Sequence, residues 1–252
     1  MLRGSQRGGD AITGSALIRL LTRLTEVDAP ESRQAFAERL SQWLGWADAI
    51  SLSAALSSGT PPAPMAASAP GAADKDAADP ARVRAGLVKA LADAGAAATM
   101  NNAAADPADG DFSPHRRHYH AQQQAMEHAI GPLRNRLRAR LAGRSPAMAR
   151  LAAVDAVMDQ VLGPRERALL STVPVLLERR FEQLRLQHAP EGPAPGWMHR
   201  FRQDMHSVLL AELEIRLQPA EGLLAALREP PRPVVHQGPL HNLTSSRRAH
   251  HP

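Results

Sequence analysis

The chain of 252 residues contains no cysteine. Disulfides, iron–sulfur clusters, thiol catalysis and cysteine-based zinc sites are therefore excluded. Aromatic residues make up only 3% of the sequence, so we expect a core of leucine, valine and alanine. No apolar stretch approaches the roughly 18–20 residues that a helix needs to span a bilayer. Arg19 and Arg23 interrupt the first apolar stretch, unlike a signal-peptide core, and a cytoplasmic protein is expected.

Catalytic motifs are missing as well. The sequence has neither a glycine-rich phosphate loop nor a nucleophile elbow. Glu212 and Glu214 form a carboxylate pair, but residues two apart on a helix point in different directions, a pattern typical of a solvated face. We therefore expect a protein that is not an enzyme and that uses no cofactor.

Lysine is rare: Lys75 and Lys89 are the only two, and arginine supplies the other basic residues. An imbalance of this size favours GC-rich coding sequence as its cause. Charge is also uneven, because residues 1–114 hold 10 basic and 13 acidic residues whereas residues 115–252 hold 20 and 12. The second part has a net charge of +8, which suits nucleic acid, anionic lipid or an acidic protein as partner.

Residues 11–56 have the pattern of a small N-terminal helical module that follows a disordered start at 1–10. Pro30 interrupts the first run of leucines, because the residue before a proline avoids helical geometry. Gly45 is a suitable stop for the next helix. Helices are predicted over 17–27, 31–44 and 46–56, with a strand over 49–52 as the alternative in the last segment.

Residues 57–114 consist mainly of alanine, proline, glycine, serine and aspartate, and we predict a disordered linker. Such a segment buries too little apolar surface to offset roughly 1–2 kcal/mol of backbone ordering entropy per residue. One helix is predicted within it at 79–95, where Asp79-Pro80 supplies an N-cap and first turn. It is either a docking peptide or a transient helix with no partner. Its apolar side chains are Val83, Leu87, Val88 and Leu91.

Residues 115–228 have the pattern of an antiparallel helix bundle, followed by a disordered tail at 229–252. Ser145-Pro146 marks the start of its second helix, and Gly163-Pro164 separates the second from the third. Pro174 should kink or break the third helix. Helices are predicted over 119–142, 146–162, 164–184 and 197–217, with a short one that begins at Pro219.

An apolar stripe bordered by arginines marks the first helix of this bundle. Gly131-Pro132 should kink the helix or divide it in two, because proline costs about 3 kcal/mol in a helix interior. The stripe should set the fold, and the arginines should set register or partner choice. Internal pairing with glutamates at 178, 182, 212 and 214 is the alternative for the arginines. The stripe is Met126, Ile130, Leu133, Leu137 and Leu141, and the candidate partner-binding residues are Arg134, Arg136, Arg138 and Arg140.

Histidines 115, 118 and 120 form the one cluster that suggests a metal site. Helical metal ligands share a face at a spacing of four, whereas these are three and two apart. A solvated basic segment is the favoured interpretation, and no metal is expected.

Four segments resemble an uncharacterised proteobacterial family, domain of unknown function 3348. The resemblance covers the chain apart from the linker and the tail, and it implies no catalytic residue. It also implies an association with cell-envelope proteins. The segments are ESRQAFAERLSQWLGW at 31–46, AISLSAAL at 49–56, MEHAIGPL at 126–133 and AELEIRLQP at 211–219.

The function expected from these features is a non-enzymatic protein-interaction or scaffold protein, a cytoplasmic partner of a cell-envelope assembly. The apolar stripes and the absence of catalytic motifs support this expectation. A homo-oligomer is compatible with it. The alternative is nucleic-acid binding that tolerates many sequences, through the arginine-rich C-terminal helices.

Overall fold

In the computed structural model of the chain, residues 15–25, 36–57, 80–101, 110–188 and 196–229 are described. Within these ranges the structure has eight helices and no strand, which confirms the predicted all-α class. The predicted disorder at 1–10, 58–78, 102–109 and 230–252 lies outside the described residues. The linker prediction was wrong for residues 96–101 and 113–114, which are helical because they extend helices that pack on the rest of the chain. The helices are α1 (Ala16–Thr25), α2 (Phe36–Trp43), α3 (Trp46–Ser57), α4 (Pro80–Asn101), α5 (Ser113–Ala142), α6 (Pro146–Leu170), α7 (Val173–His188) and α8 (Gly196–Arg228).

Local sequence explains several helix ends. The Ser145 hydroxyl accepts a hydrogen bond from the backbone N–H of Met148 at 3.2 Å, and Pro146 occupies the first turn of α6 as predicted. Asp48 in the first turn of α3 accepts from the N–H of Gly45 at 3.1 Å. These side chains satisfy donors that have no partner within the helix.

Three prolines lie inside helices that were predicted to stop or divide at them. Pro132 is within α5, Pro164 within α6 and Pro219 within α8. The predicted ends at Gly163-Pro164 and Pro219 were therefore wrong, and α5 is not divided at Pro132, where a kink stays a prediction. One lost hydrogen bond is a smaller term than the apolar contacts along each long helix. Pro132 is exposed, so water can bond to the carbonyl that it leaves without a donor.

The predicted break near Pro174 is confirmed. Residues 171–172 form a turn between α6 and α7, and Pro174 lies in the first turn of α7. A proline is tolerated in that turn because its missing N–H has no partner within the helix.

Helices α6 and α7 both run antiparallel to α5, whereas α8 runs parallel to it, so the predicted antiparallel arrangement holds for α5 with α6 but not for α6 with α7. Going along α5, contacts move backward along α7 and α6 and forward along α8. The stripe on α5 is fully enclosed by this arrangement, since all five of its apolar side chains are buried. Each contributes about 1.5–3 kcal/mol as an upper estimate, which makes the stripe the main stabilising feature of α5.

The remaining helices lie on the outside of this bundle. The α1 helix contacts α7 and α8, α3 contacts α6, and α4 contacts α8 and α5. Helix α3 replaces the alternative of a strand at 49–52. The predicted helix at 79–95 is present and continues to Asn101.

Candidate functional site

The centre of the bundle contains a buried polar cluster around Glu212 of α8, whose side chain is fully buried. Its carboxylate accepts hydrogen bonds from the Tyr119 hydroxyl at 2.6 Å and from Gln123 Nε2 at 3.0 Å. Arg216 Nε donates to it at 2.9 Å and supplies the compensating positive charge. Burial and the neighbouring Glu212 raise the pKa of Tyr119, so the phenol keeps its proton and donates.

Helical spacing builds the cluster from two helices. Tyr119 and Gln123 are four apart on α5, and Glu212 and Arg216 are four apart on α8, so each pair shares a face. Gln123 Nε2 also donates to the carbonyl of Leu170 at 3.0 Å. That carbonyl belongs to the last turn of α6, where the helix itself offers no donor. The cluster therefore ties α5, α6 and α8 together.

A second polar layer joins α5 to α6. Arg134 donates to both oxygens of Asp155 at 2.9 and 2.7 Å, and to Asp159 at 2.8 Å. Arg138 binds the same two aspartates at 2.6 and 2.7 Å. The two arginine side chains are only 13% and 15% exposed, so these pairs are screened less than surface pairs.

The four candidate partner-binding arginines have different environments in the structure. Arg134 and Arg138 pair within the chain, with aspartates rather than with the glutamates considered above. Arg136 is half-buried, and Arg140 is exposed near the end of α5. Binding of a partner by any of the four stays a prediction.

The glutamates form pairs of their own. Arg116 binds Glu178 at 2.6 Å. Arg185 binds Glu182 at 2.6 Å within α7. Arg84 of α4 binds Glu214, so the carboxylates at 212 and 214 face different surroundings, as their spacing predicted. The prediction of a solvated face is wrong for Glu212, which is buried among α5 and α6.

A cleft of about 170 Å³ opens beside the cluster, between α5, α6 and α8. Burial raises the pKa of the Glu166 carboxyl in its wall. The cleft has room for a few water molecules, and its cationic and anionic side chains are equal in number. Its charged lining residues are Glu127, Arg134, Asp159, Glu166, Arg167 and Arg216.

The three clustered histidines have three different environments. His115 is buried, with its ring centroid 5.1 Å from that of Phe201 and 5.7 Å from that of Phe181. His118 is half-buried. His120 is exposed, and its Nδ1 atom lies 3.2 Å from Gln123 Oε1. Among the described residues no group of three or more potential metal ligands is found.

The candidate docking helix lies against its own bundle. Leu91 of α4 is buried, and Val83, Leu87 and Val88 are partly buried against the core. Neither interpretation of this segment included a contact with the chain's own bundle, and binding of a partner by it stays a prediction. The apolar spacing of α4 indicated a helix, but it gave no indication of which surface the helix would contact.

A different apolar surface is exposed on α3. Trp46 is 84% exposed, Ile50 54% and Leu56 55%, and the helix positions between them on this face are also uncharged. Ala55 on the opposite face is buried. Sequence reasoning placed these side chains in a packed N-terminal module and therefore missed that they face solvent. We call Trp46, Ile50 and Leu56 with the intervening Ala49 and Ser53 the α3 face.

None of the described helices is long and apolar enough to cross a membrane. No match was found among curated proteins or among solved structures. A family model with the description "Protein of unknown function (DUF3348)" matches residues 1–229, which include every described helix. On that match, the chain belongs to the DUF3348 family.

Proposed function

We propose that the protein acts by binding another protein and not by catalysis. The observation that carries the proposal is the α3 face, on which a tryptophan is 84% exposed. Tryptophan in such a position is enriched among the residues that dominate binding energy at protein interfaces. The buried polar cluster gives little support for catalysis, because Glu212 at its centre is fully buried and cannot reach a substrate.

The lack of charged side chains on the α3 face indicates which kind of partner surface would fit it. Asp48 is the only charged residue of α3, and its carboxylate bonds to the N–H of Gly45 at the start of the helix. The face itself therefore offers no charge to a partner, and a charged residue placed on it would lose solvation without compensation. The occupant we propose is an uncharged, apolar helix face of another protein.

The partner class to examine first is a cell-envelope assembly, with this protein on its cytoplasmic side. The support for this choice is the family resemblance and not the geometry of α3. A partner in an envelope assembly would present the apolar helix to the cytoplasm.

Site-specific photocrosslinking tests the proposal. A photoreactive amino acid replaces Trp46, or replaces Leu186 of α7 as the control, because Leu186 is apolar and 66% exposed. We expect a protein adduct at position 46 that position 186 does not give. The purified adduct partner should bind the wild-type chain, and Ile50→Asp should weaken that binding at least tenfold, or about 1.4 kcal/mol.

Three results would contradict the proposal. They are the absence of an adduct at position 46, an adduct partner whose affinity is unchanged by Ile50→Asp, and an adduct with a second copy of this chain. The last would make the α3 face a homodimer surface. Circular dichroism melting should show that Ile50→Asp leaves the fold intact, since the side chain is 54% exposed.

Nucleic-acid binding is the second candidate. The observation in its favour is that Arg140, Arg144 and Arg150 are exposed around the turn from α5 to α6. No acidic residue occurs between positions 134 and 154. Exposed arginines in such a group can contact successive phosphates, whereas Arg134 and Arg138 are engaged with aspartates.

A gel-shift assay on the full chain tests this candidate. At physiological salt we expect binding to both duplex DNA and single-stranded RNA. Replacement of the three exposed arginines by glutamine should reduce the slope of log affinity against log salt by about 2–3. Absence of a shift at physiological salt would eliminate the candidate.

A further inference from the structure

The cleft of about 170 Å³ between α5, α6 and α8 has walls that are mainly buried or half-buried. Of its nine lining residues, only Glu127, Gly131 and Arg167 are exposed. An apolar cavity of about 150 Å³ holds a benzene molecule, so a cleft of this size has room for an organic molecule of about six to nine non-hydrogen atoms.

Two glycines from facing helices contribute to the open space. Gly131 of α5 and Gly163 of α6 both line the cleft. A Cβ at position 131 would meet no atom beyond its chain neighbours within 4 Å, whereas a Cβ at position 163 would lie 3.4 Å from Arg167 Nη1. Glycine allows a ligand to approach the backbone closely. The glycines of both glycine–proline pairs therefore border the same cleft.

The wall of the cleft contains a carboxylate without a partner. Glu166 of α6 is half-buried, and no described residue donates a hydrogen bond to it or forms an ion pair with it. Arg134, Arg167 and Arg216 are close enough to lower its pKa, but none of them bonds to it. A half-buried carboxylate in this situation has lost water without compensation. A donor on a molecule in the cleft would supply the missing bond.

The cleft also contains unused donors on a buried cation. The side chain of Arg216 is only 7% exposed, and its Nε and Nη1 atoms donate to Glu212 and Glu127. A guanidinium has five N–H groups, so three of those on Arg216 have no partner within the described part of the chain. Arg167 adds an exposed guanidinium that forms no ion pair with any described residue. These groups would accept a carboxylate.

We propose that the cleft binds a free α-amino acid of up to about nine non-hydrogen atoms, with its ammonium group on Glu166 and its carboxylate on Arg216 and Arg167. A cation alone would leave the unused N–H groups of Arg216 without an acceptor, and an anion alone would leave Glu166 without a donor. This site is separate from the α3 face, because its residues belong to α5, α6 and α8. Failure of the proposal for the α3 face would leave this one unaffected.

Isothermal titration calorimetry of the full chain with each standard L-amino acid tests the proposal. We expect at least one of the smaller amino acids to bind. The N-acetyl and amide derivatives of the best ligand each lack one of its two charges. Each derivative should bind roughly tenfold more weakly or less, because one charged hydrogen bond is lost.

Variants of the full chain locate the binding. Glu166→Gln and Arg167→Gln should each weaken the best ligand by roughly tenfold or more. Arg179→Gln is the matched control, because Arg179 is exposed on α7 and does not line the cleft, and it should leave the affinity unchanged. Circular dichroism melting checks that the variants fold. Arg167 is exposed, so its replacement provides a folded variant even if Glu166→Gln disturbs the bundle.

Three results would overturn the proposal. If no amino acid binds at millimolar concentration, the cleft holds only water. If the N-acetyl or the amide derivative binds as tightly as its parent, the cleft does not bind both charges of an amino acid. If neither Glu166→Gln nor Arg167→Gln changes the affinity, the amino acid binds elsewhere.

Discussion

At the scale of single residues, Glu212 and Glu214 show that two carboxylates only two positions apart on a helix can have different roles. Glu212 is fully buried and bonded to Arg216, Tyr119 and Gln123, whereas the side chain of Glu214 is 43% exposed in its pair with Arg84. Breaking a buried ion pair leaves an uncompensated charge, while an exposed pair contributes little.

We therefore expect Glu212→Gln to lower the free energy of unfolding by about 3 kcal/mol. The matched variant Glu214→Gln should lower it by less than about 1 kcal/mol. Urea denaturation followed by circular dichroism measures both. Equal effects would show that the cluster does not stabilise the bundle.

Arg138 and Arg140 offer a second matched pair. Arg138 binds Asp155 and Asp159 and is 15% exposed, whereas Arg140, two positions beyond it on the same stretch of α5, is exposed. Arg138→Gln should cost about 1–2 kcal/mol because Asp155 loses a charged hydrogen-bond donor. Arg140→Gln should change stability by less than about 0.5 kcal/mol. Equal thermal shifts in the two variants would contradict this assignment.

His115 makes stability depend on pH. Burial, with the nearby positive charge of Arg202, lowers the pKa of His115 from 6.5 to about 4. As the pH falls below 6.5, the unfolded chain takes up a proton that the folded chain does not. Stability from this group is therefore complete above pH 6.5 and is lost as the pH falls towards 4, by up to about 3 kcal/mol.

His115→Phe should remove this dependence, because phenylalanine retains the ring contacts with Phe181 and Phe201 but does not titrate. The measurement is the melting temperature of both proteins between pH 7 and pH 4. Parallel pH profiles would exclude His115 as the source.

At the scale of the helix, Gly131-Pro132 does not end α5 and Gly163-Pro164 does not end α6. Both Gly131-Pro132 and Gly163-Pro164 lie inside continuous helices. Proline lacks one hydrogen bond and glycine loses more backbone entropy on folding, so each site weakens its helix locally. Contacts with neighbouring helices keep these segments helical. A prediction from the apolar spacing within one segment does not include such contacts.

Gly131→Ala tests this account. A Cβ at position 131 would meet no atom beyond its chain neighbours within 4 Å, but the ring of Pro132 disfavours helical geometry for a preceding residue with a Cβ, so alanine should stabilise the fold by at most about 0.5 kcal/mol. Gly163→Ala is the control, because its Cβ would lie 3.4 Å from the guanidinium of Arg167 and 3.5 Å from Asp159 Oδ1. Thermal denaturation should show a smaller gain in stability for Gly163→Ala than for Gly131→Ala. A loss of stability in Gly131→Ala would show that the helix at this point is not in a relaxed conformation.

At the scale of the whole molecule, one apolar core connects α1, α4 and the four helices of the bundle. Leu137 is completely buried within it, whereas Leu186 is 66% exposed. Leu137→Asp should abolish cooperative unfolding, since a carboxylate without a partner would be placed in the core. Leu186→Asp should retain the wild-type circular dichroism spectrum and melting transition. A folded Leu137→Asp variant would show that the stripe does not determine the fold.

The sequence alone determined the helical class, most helix starts and the buried stripe of α5. These features depend on residues within one or two helical turns, so local spacing is sufficient to predict them. The tertiary structure decided which charges are buried and which apolar side chains are exposed. Asp155 meets Arg134, and Tyr119 meets Glu212, only because helices distant in the sequence pack together.

The same reason explains α3 and α4. Their amphipathic patterns predicted helices, but a pattern within a helix does not identify the surface that it contacts. Packing against the bundle buries Leu91 of α4 and leaves Trp46 of α3 in solvent. The α3 face follows from that packing, because burial is a property of the contacts between helices and not of either helix alone.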